Sequence, residues 1–209
     1  MNTQISVKLE VHKVLTARQI LGDYEKYASY FRENGEGIYF HIYDNSDIPF
    51  YIGISENMLR RNHDHLTAYR YGQYWLPKNP DGLKGAQCYI NYKDADAHKF
   101  YSPNRPDDMD GHEGAVAKLF DNMSIMFSRV YNISENIPAN RYQIEVVERQ
   151  LQQNQIDILK VHKSWNGRLG SNKGGGLGTD EYAIEIAYTE NIPNDVNRLK
   201  LDALIPTCS

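Results

Sequence analysis

Gly37-Ile38-Tyr39 and, twelve positions after that tyrosine, Tyr51-Ile52-Gly53 decide how this chain is read. Both tripeptides are β-branched and aromatic. The turn-forming Asp44-Asn45-Ser46-Asp47 run and Pro49 separate them, so the segment from about Gly37 to Ser55 predicts a β-hairpin with the two tyrosines on adjacent strands. Ile54-Ser55-Glu56-Asn57 then opens a helix over about 57–71. Arg61 and His65 stand four residues apart on it and share one face. Tyrosine, arginine and histidine are thereby brought towards one point.

Further along, Met123 to Tyr131 alternates Ile125 and Phe127 with their neighbours and predicts a third strand. Ile137-Pro138-Ala139-Asn140 leads into a helix of about Arg141 to Asp157, whose apolar stripe is Ile144, Val147 and Leu151. Glu148 lies four residues after Ile144 and three before Leu151, at the inward face. An acid there is costly unless a partner or a cation offsets it. Glu145 is the fallback.

Strand, strand and helix in this order, with these residues, resemble the GIY-YIG nuclease family, and most closely a freestanding type II restriction endonuclease. The resemblance covers about 37–66 and 123–166. It implies one α+β nuclease domain over 1–209: a small antiparallel three-stranded core sheet, the hairpin plus the third strand, flanked by helices. Residues 1–36 and 167–209 are then extensions, and about 71–121 is an insertion. The implied catalytic set is Tyr39, Tyr51, Arg61, His65, Glu148 and Asn166. Tyr39 would orient or deprotonate the attacking water, Tyr51 would hold water and phosphate, and Asn166 would brace the site. A free tyrosine titrates near pH 10, so a base role for Tyr39 needs its proton made more acidic by a nearby metal and Arg61. His65 would relay a proton or bind phosphate. Glu148 would hold Mg²⁺ (or Mn²⁺), which favours oxygen ligands and keeps much of its water shell, and Arg61 would clamp a phosphate oxygen. The implied substrate is double-stranded DNA, cut at a specific sequence by a possible homodimer.

Bulk properties bound the rest. The 209 residues are long enough for one sizeable core, and no run of about eighteen apolar residues is present, which predicts no membrane span. Met1 to Val14 mixes charged residues into any apolar run and does not read as a signal peptide. Cys88 and Cys208 alone give no zinc-binding or disulfide pattern, so a reducing, cytoplasmic setting in a bacterium or phage is expected.

The net charge of −4 is unusual for a DNA-binding chain. It is unevenly spread. Residues 158–173 carry Lys160, Lys163, Arg168 and Lys173 with no acid, and these four are the expected DNA contacts. Ser171 to Gly176 adds bared backbone amides suited to phosphate, or equally a plain linker. Elsewhere, residues 3–15 suggest a strand, Thr16 caps a helix through Tyr30, Gln87 to Tyr92 is a short strand within the insertion, and Tyr182 to Tyr188 is another strand. Two other classes stay open at this point: a catalytically silent DNA-binding module (or a repair- or homing-type nuclease), and a metabolic or structural protein carrying a chance motif.

Overall fold

The computed structural model describes residues 5–80, 97–102, 108–159 and 181–205. The chain is α+β. Its strands are β1 (Ser6–Thr16), β2 (Gly37–Tyr43), β3 (Tyr51–Ser55), β4 (Leu76–Pro77), β5 (Phe100–Tyr101), β6 (Met123–Asn132), β7 (Ile137–Pro138) and β8 (Ala183–Tyr188). Its helices are α1 (Ala17–Gly22), α2 (Tyr24–Glu33), α3 (Met58–Arg70), α4 (Met109–Asp121), α5 (Arg141–Leu159) and α6 (Val196–Asp202).

The main sheet runs β3-β2-β6-β1-β8, with β7 added beside β6. The expected hairpin and third strand therefore lie side by side and antiparallel. The sheet is larger than the three strands expected, because β6 is ten residues long and its second edge is taken by β1 over nearly its whole length. β8 then joins β1 in parallel, Val7 opposite Ile184. Both terminal segments read as extensions are thus integral to the sheet.

Strand periodicity assigns the core to two faces. Tyr39, Tyr43, Phe127 and Ile125 point to one face, where they pack with Phe31, Leu59, Leu66 and Leu119 of α2, α3 and α4. Ile38, Phe40, Ile42, Ile52 and Met126 point to the other, against Ile144, Val147 and Leu151 of α5 and Leu201 of α6. β2 is buried at every position, which explains its near-continuous apolar sequence.

Local rules account for the helix boundaries. Thr16 caps α1 through a capping box with Gln19, as its sequence position predicts. The helix does not continue unbroken to Tyr30: it stops at Gly22, a poor helix former, and restarts after Asp23. Asn57 caps α3 by accepting from the Arg60 amide at 3.0 Å. Asn140 and Gln143 cap α5 reciprocally, each side chain accepting from the other's amide at 3.0 Å. Helices α4 and α6 were not expected from the sequence, and Gln87 to Tyr92 lies outside the described residues.

Candidate active site

Two glycines of the paired motifs are required by close approach. A Cβ at Gly37 would stand 1.9 Å from the Ser128 carbonyl oxygen on β6, and its φ of +155° is one that other residues rarely adopt. A Cβ at Gly53 would stand 2.6 Å from both Cζ and the hydroxyl of Tyr39 and 2.9 Å from Cε1 of Tyr51. Gly53 pairs across the hairpin with Tyr39, and Tyr51 pairs with His41. The missing side chain at Gly53 makes the space in which the Tyr39 ring lies.

Tyr39 and Tyr51 stack with ring centroids 6.1 Å apart and planes 22° from parallel. Tyr51 and Arg61 both bear on the Tyr39 hydroxyl, Tyr51 holding its proton on and Arg61 favouring its loss. The Tyr39 hydroxyl and His65 Nε2 share a hydrogen bond of 3.1 Å. The four residues that sequence spacing placed near one another are therefore one cluster. Tyr39 is only 1% exposed, whereas Arg61 at the cluster's rim is open to solvent.

The protonation states follow from burial. Tyr39 is pushed well above its ordinary range, first by burial and then by Tyr51, with Arg61 opposing. Tyr51 is raised by burial too, with the charge of Glu148 and the neighbouring Tyr74 adding to the effect. Burial pulls Arg61 down, but Tyr39, Tyr51 and Tyr74 outweigh it and raise it. His65 falls to about 2, through burial first and then His41 and Arg61. Both phenols thus keep their protons and the imidazole stays neutral. Arg61 alone does not bring Tyr39 into the range of a base, and the neutral His65 ring adds no positive charge to the cluster.

Glu148 is 3% exposed, as its place on the inner face of α5 predicts. Its Oε1 accepts from Gln152 Nε2 at 3.2 Å, and the same amide nitrogen donates to the Ile52 carbonyl at 3.1 Å. Gln155 likewise donates to the Pro49 carbonyl. These glutamines dock α5 along β3, the edge strand of the sheet. Helix α5 packs on the face opposite α3, and Glu148 is nonetheless among the charges acting on Tyr51. Glu145 is instead drawn to Arg141 at 3.0 Å on the solvent side, so Glu148 is the buried acid of the two and the one whose charge acts on Tyr51.

The fit to a divalent cation turns on this one carboxylate. Among the described residues, no three or more of His, Cys, Asp and Glu are grouped to hold a metal. One carboxylate falls within what Mg²⁺ uses, since it binds through one or two and fills its other positions with water; Glu148, at 3% exposed and bonded to Gln152, holds its oxygens inside the protein. Asn166, Lys160, Lys163, Arg168 and Lys173 lie outside the described residues.

Three further residues belong to the cluster and were not singled out from the sequence. His41 is 1% exposed and lies among Tyr39, Tyr51 and His65, with ring centroids 5.6, 4.9 and 5.9 Å away. Asn62 donates through Nδ2 to the Met58 carbonyl at 2.7 Å, which leaves Oδ1 to accept from His41 Nε2 at 2.6 Å. Burial lowers His41 to about 4, and its Nδ1 has no hydrogen-bond partner among the described residues. Tyr74, just after α3, packs on His65 at 5.5 Å. His41 stands two residues after Tyr39 on one strand, so strand periodicity alone could have found it. Its partner Asn62 shares no local pattern with it.

No protein-family model matches this chain, and neither a curated protein nor a solved structure is matched by it. No helix among the described residues is long and apolar enough to cross a membrane.

Proposed function

We infer that this protein is a metal-dependent DNA endonuclease that hydrolyses phosphodiester bonds, built on a GIY-YIG-type core of β2, β3, β6 and α3. One observation carries the reading. Tyr39, Tyr51, Arg61 and His65 form a single cluster, tied by the Tyr39–His65 hydrogen bond and the stacked tyrosine rings, with the charges of Arg61 and of the buried Glu148 acting on its phenols. A chance tripeptide pair gives no reason for a histidine and an arginine to gather on the two tyrosines.

Phosphodiester hydrolysis needs an attacking water, neutralisation of charge on the phosphoryl oxygens, and help for the leaving 3′ oxygen. Arg61 is the one permanent cation of the cluster and stands at its solvent side, so it receives the phosphate. Tyr39 then orients water as a neutral phenol, since its proton is held too tightly for it to act as a free base. Neutral His65 bonds the Tyr39 hydroxyl and sets the direction of its proton. Tyr51 holds the water and phosphate against this pair. Mg²⁺ or Mn²⁺ bound through Glu148 would polarise the phosphate and stabilise the leaving oxygen.

The substrate proposed is double-stranded DNA cut at a specific sequence, in the manner of a freestanding type II restriction enzyme. A palindromic site would call for a two-fold dimer in which each subunit cuts one strand. Incubating supercoiled plasmid with the protein, with and without Mg²⁺, tests the reading. Discrete metal-dependent fragments support it, and a nicked smear indicates a less specific nuclease. Intact DNA under every condition favours a silent DNA-binding module instead.

A further inference from the structure

The residues that follow α3 bring a third phenol to this cluster. Gly72, at φ +65°, turns the chain back as the helix ends. Tyr74 then lies against two residues of that helix: its ring is 5.5 Å from His65 and meets Tyr69 edge-on at 5.3 Å. The short β4–β5 pairing, Leu76 opposite Tyr101, anchors the chain immediately beyond. His65, on which the Tyr74 ring packs, lies 5.4 Å from the Tyr51 ring and bonds the Tyr39 hydroxyl. Tyr74 is half-buried, in contrast to Tyr39. A phenol held by ring packing against the histidine of the cluster, and only half-buried, keeps part of its surface open to a ligand there.

We propose that Tyr74 is a further substrate-binding residue, whose hydroxyl donates to a phosphodiester oxygen of the DNA beside the one that Arg61 engages. This rests on the nuclease reading and deepens it. The paired tripeptides supply Tyr39 and Tyr51 from the sheet, whereas Tyr74 comes from the segment read as an insertion, so that segment contributes to the site as well as covering the core. The aromatic ring fixes the position, and the oxygen does the binding.

Tyr74→Phe separates these two contributions, because it keeps the ring against His65 and Tyr69 and removes only the hydroxyl. The variant should melt at the wild-type temperature. Its kcat/KM on a duplex substrate should fall by about ten- to a hundredfold, the range for deleting one hydrogen bond to a charged acceptor. Its affinity for a fluorescein-labelled duplex without divalent cation should fall as well. Wild-type rates and affinity in Tyr74→Phe would overturn the proposal, as would an activity loss matched by a lowered melting temperature. If the wild-type protein cuts no DNA, the nuclease reading fails separately, and the duplex affinities of the two proteins still decide the role of Tyr74.

Discussion

Replacing Gly53 with alanine should disable the site through a single methyl group. The new Cβ would arrive 2.6 Å from the Tyr39 hydroxyl and from its Cζ, about 1 Å inside ordinary contact. The backbone of β3 cannot yield easily, because β2 pairs with one side of it and Gln152 of α5 bonds its Ile52 carbonyl on the other. The Tyr39 ring must therefore move. A displacement of about 1 Å takes its hydroxyl out of the 3.1 Å bond with His65. Overpacking costs about 1–3 kcal/mol and the lost bond about 1 kcal/mol. For a chain of this length, roughly 2–4 °C of melting temperature goes with each kcal/mol. Misplacing the water-orienting phenol by the same distance costs about a hundredfold in rate. Thermal unfolding and a plasmid-cleavage time course measure the two effects separately. Gly53→Ala with wild-type stability and wild-type cutting would refute the packing argument for the second motif.

Glu148→Ala should abolish Mg²⁺-dependent cutting while DNA binding stays measurable by gel shift; full activity would remove Glu148 as the metal ligand. His41→Leu and Asn62→Leu each break the 2.6 Å bond that ties β2 to α3 between Arg61 and His65, and each should lower kcat more than it raises KM. In a double-mutant cycle the two losses should couple by about 1 kcal/mol, and simple additivity would sink the idea that they act as a pair. Burial holds His12 and His41 near 4 and His65 near 2, below the ordinary 6.5, so between those values the unfolded chain binds more protons than the folded one. Stability present above pH 6.5 should therefore be lost on acidification, at up to about 1.4 kcal/mol per pH unit for each histidine. Denaturant titrations from pH 7 to 4.5 should show this decline, shallower in His41→Phe, and a flat profile would contradict the burial of these rings as neutral groups.

Much of the site was legible because its residues obey local periods. Tyr39 and Tyr51 sit in short apolar strands, Arg61 and His65 are one helical turn apart, and Glu148 interrupts an apolar stripe. Each of those patterns survives in the fold. What could not be read is non-local. β1 pairs with β8 across nearly the whole length of the chain, and nothing in either strand names the other as its partner. Helix α4 was hidden by Gly111 and Gly114 in its first turns, where propensity argues for a loop. Asp108 makes up part of that deficit by capping Gly111 at 3.0 Å. Tyr74 belongs to no motif and reaches the cluster only because the chain reverses after α3. The protonation states of the cluster are non-local in the same way. Sequence spacing put Arg61 near Tyr39, but only the packing of both faces of β2 reveals how much burial outweighs that charge.

The most direct measurement is single-turnover cleavage of an end-labelled duplex by the wild-type protein and by Arg61→Ala and Tyr39→Phe, with Mg²⁺ and with EDTA. Strand cutting should occur only with Mg²⁺ and should fall by at least about a hundredfold in either variant, as expected when one preorganised group at a developing charge is removed. Cutting that persists in EDTA, or that neither substitution affects, would contradict the assignment of this cluster as the hydrolytic centre.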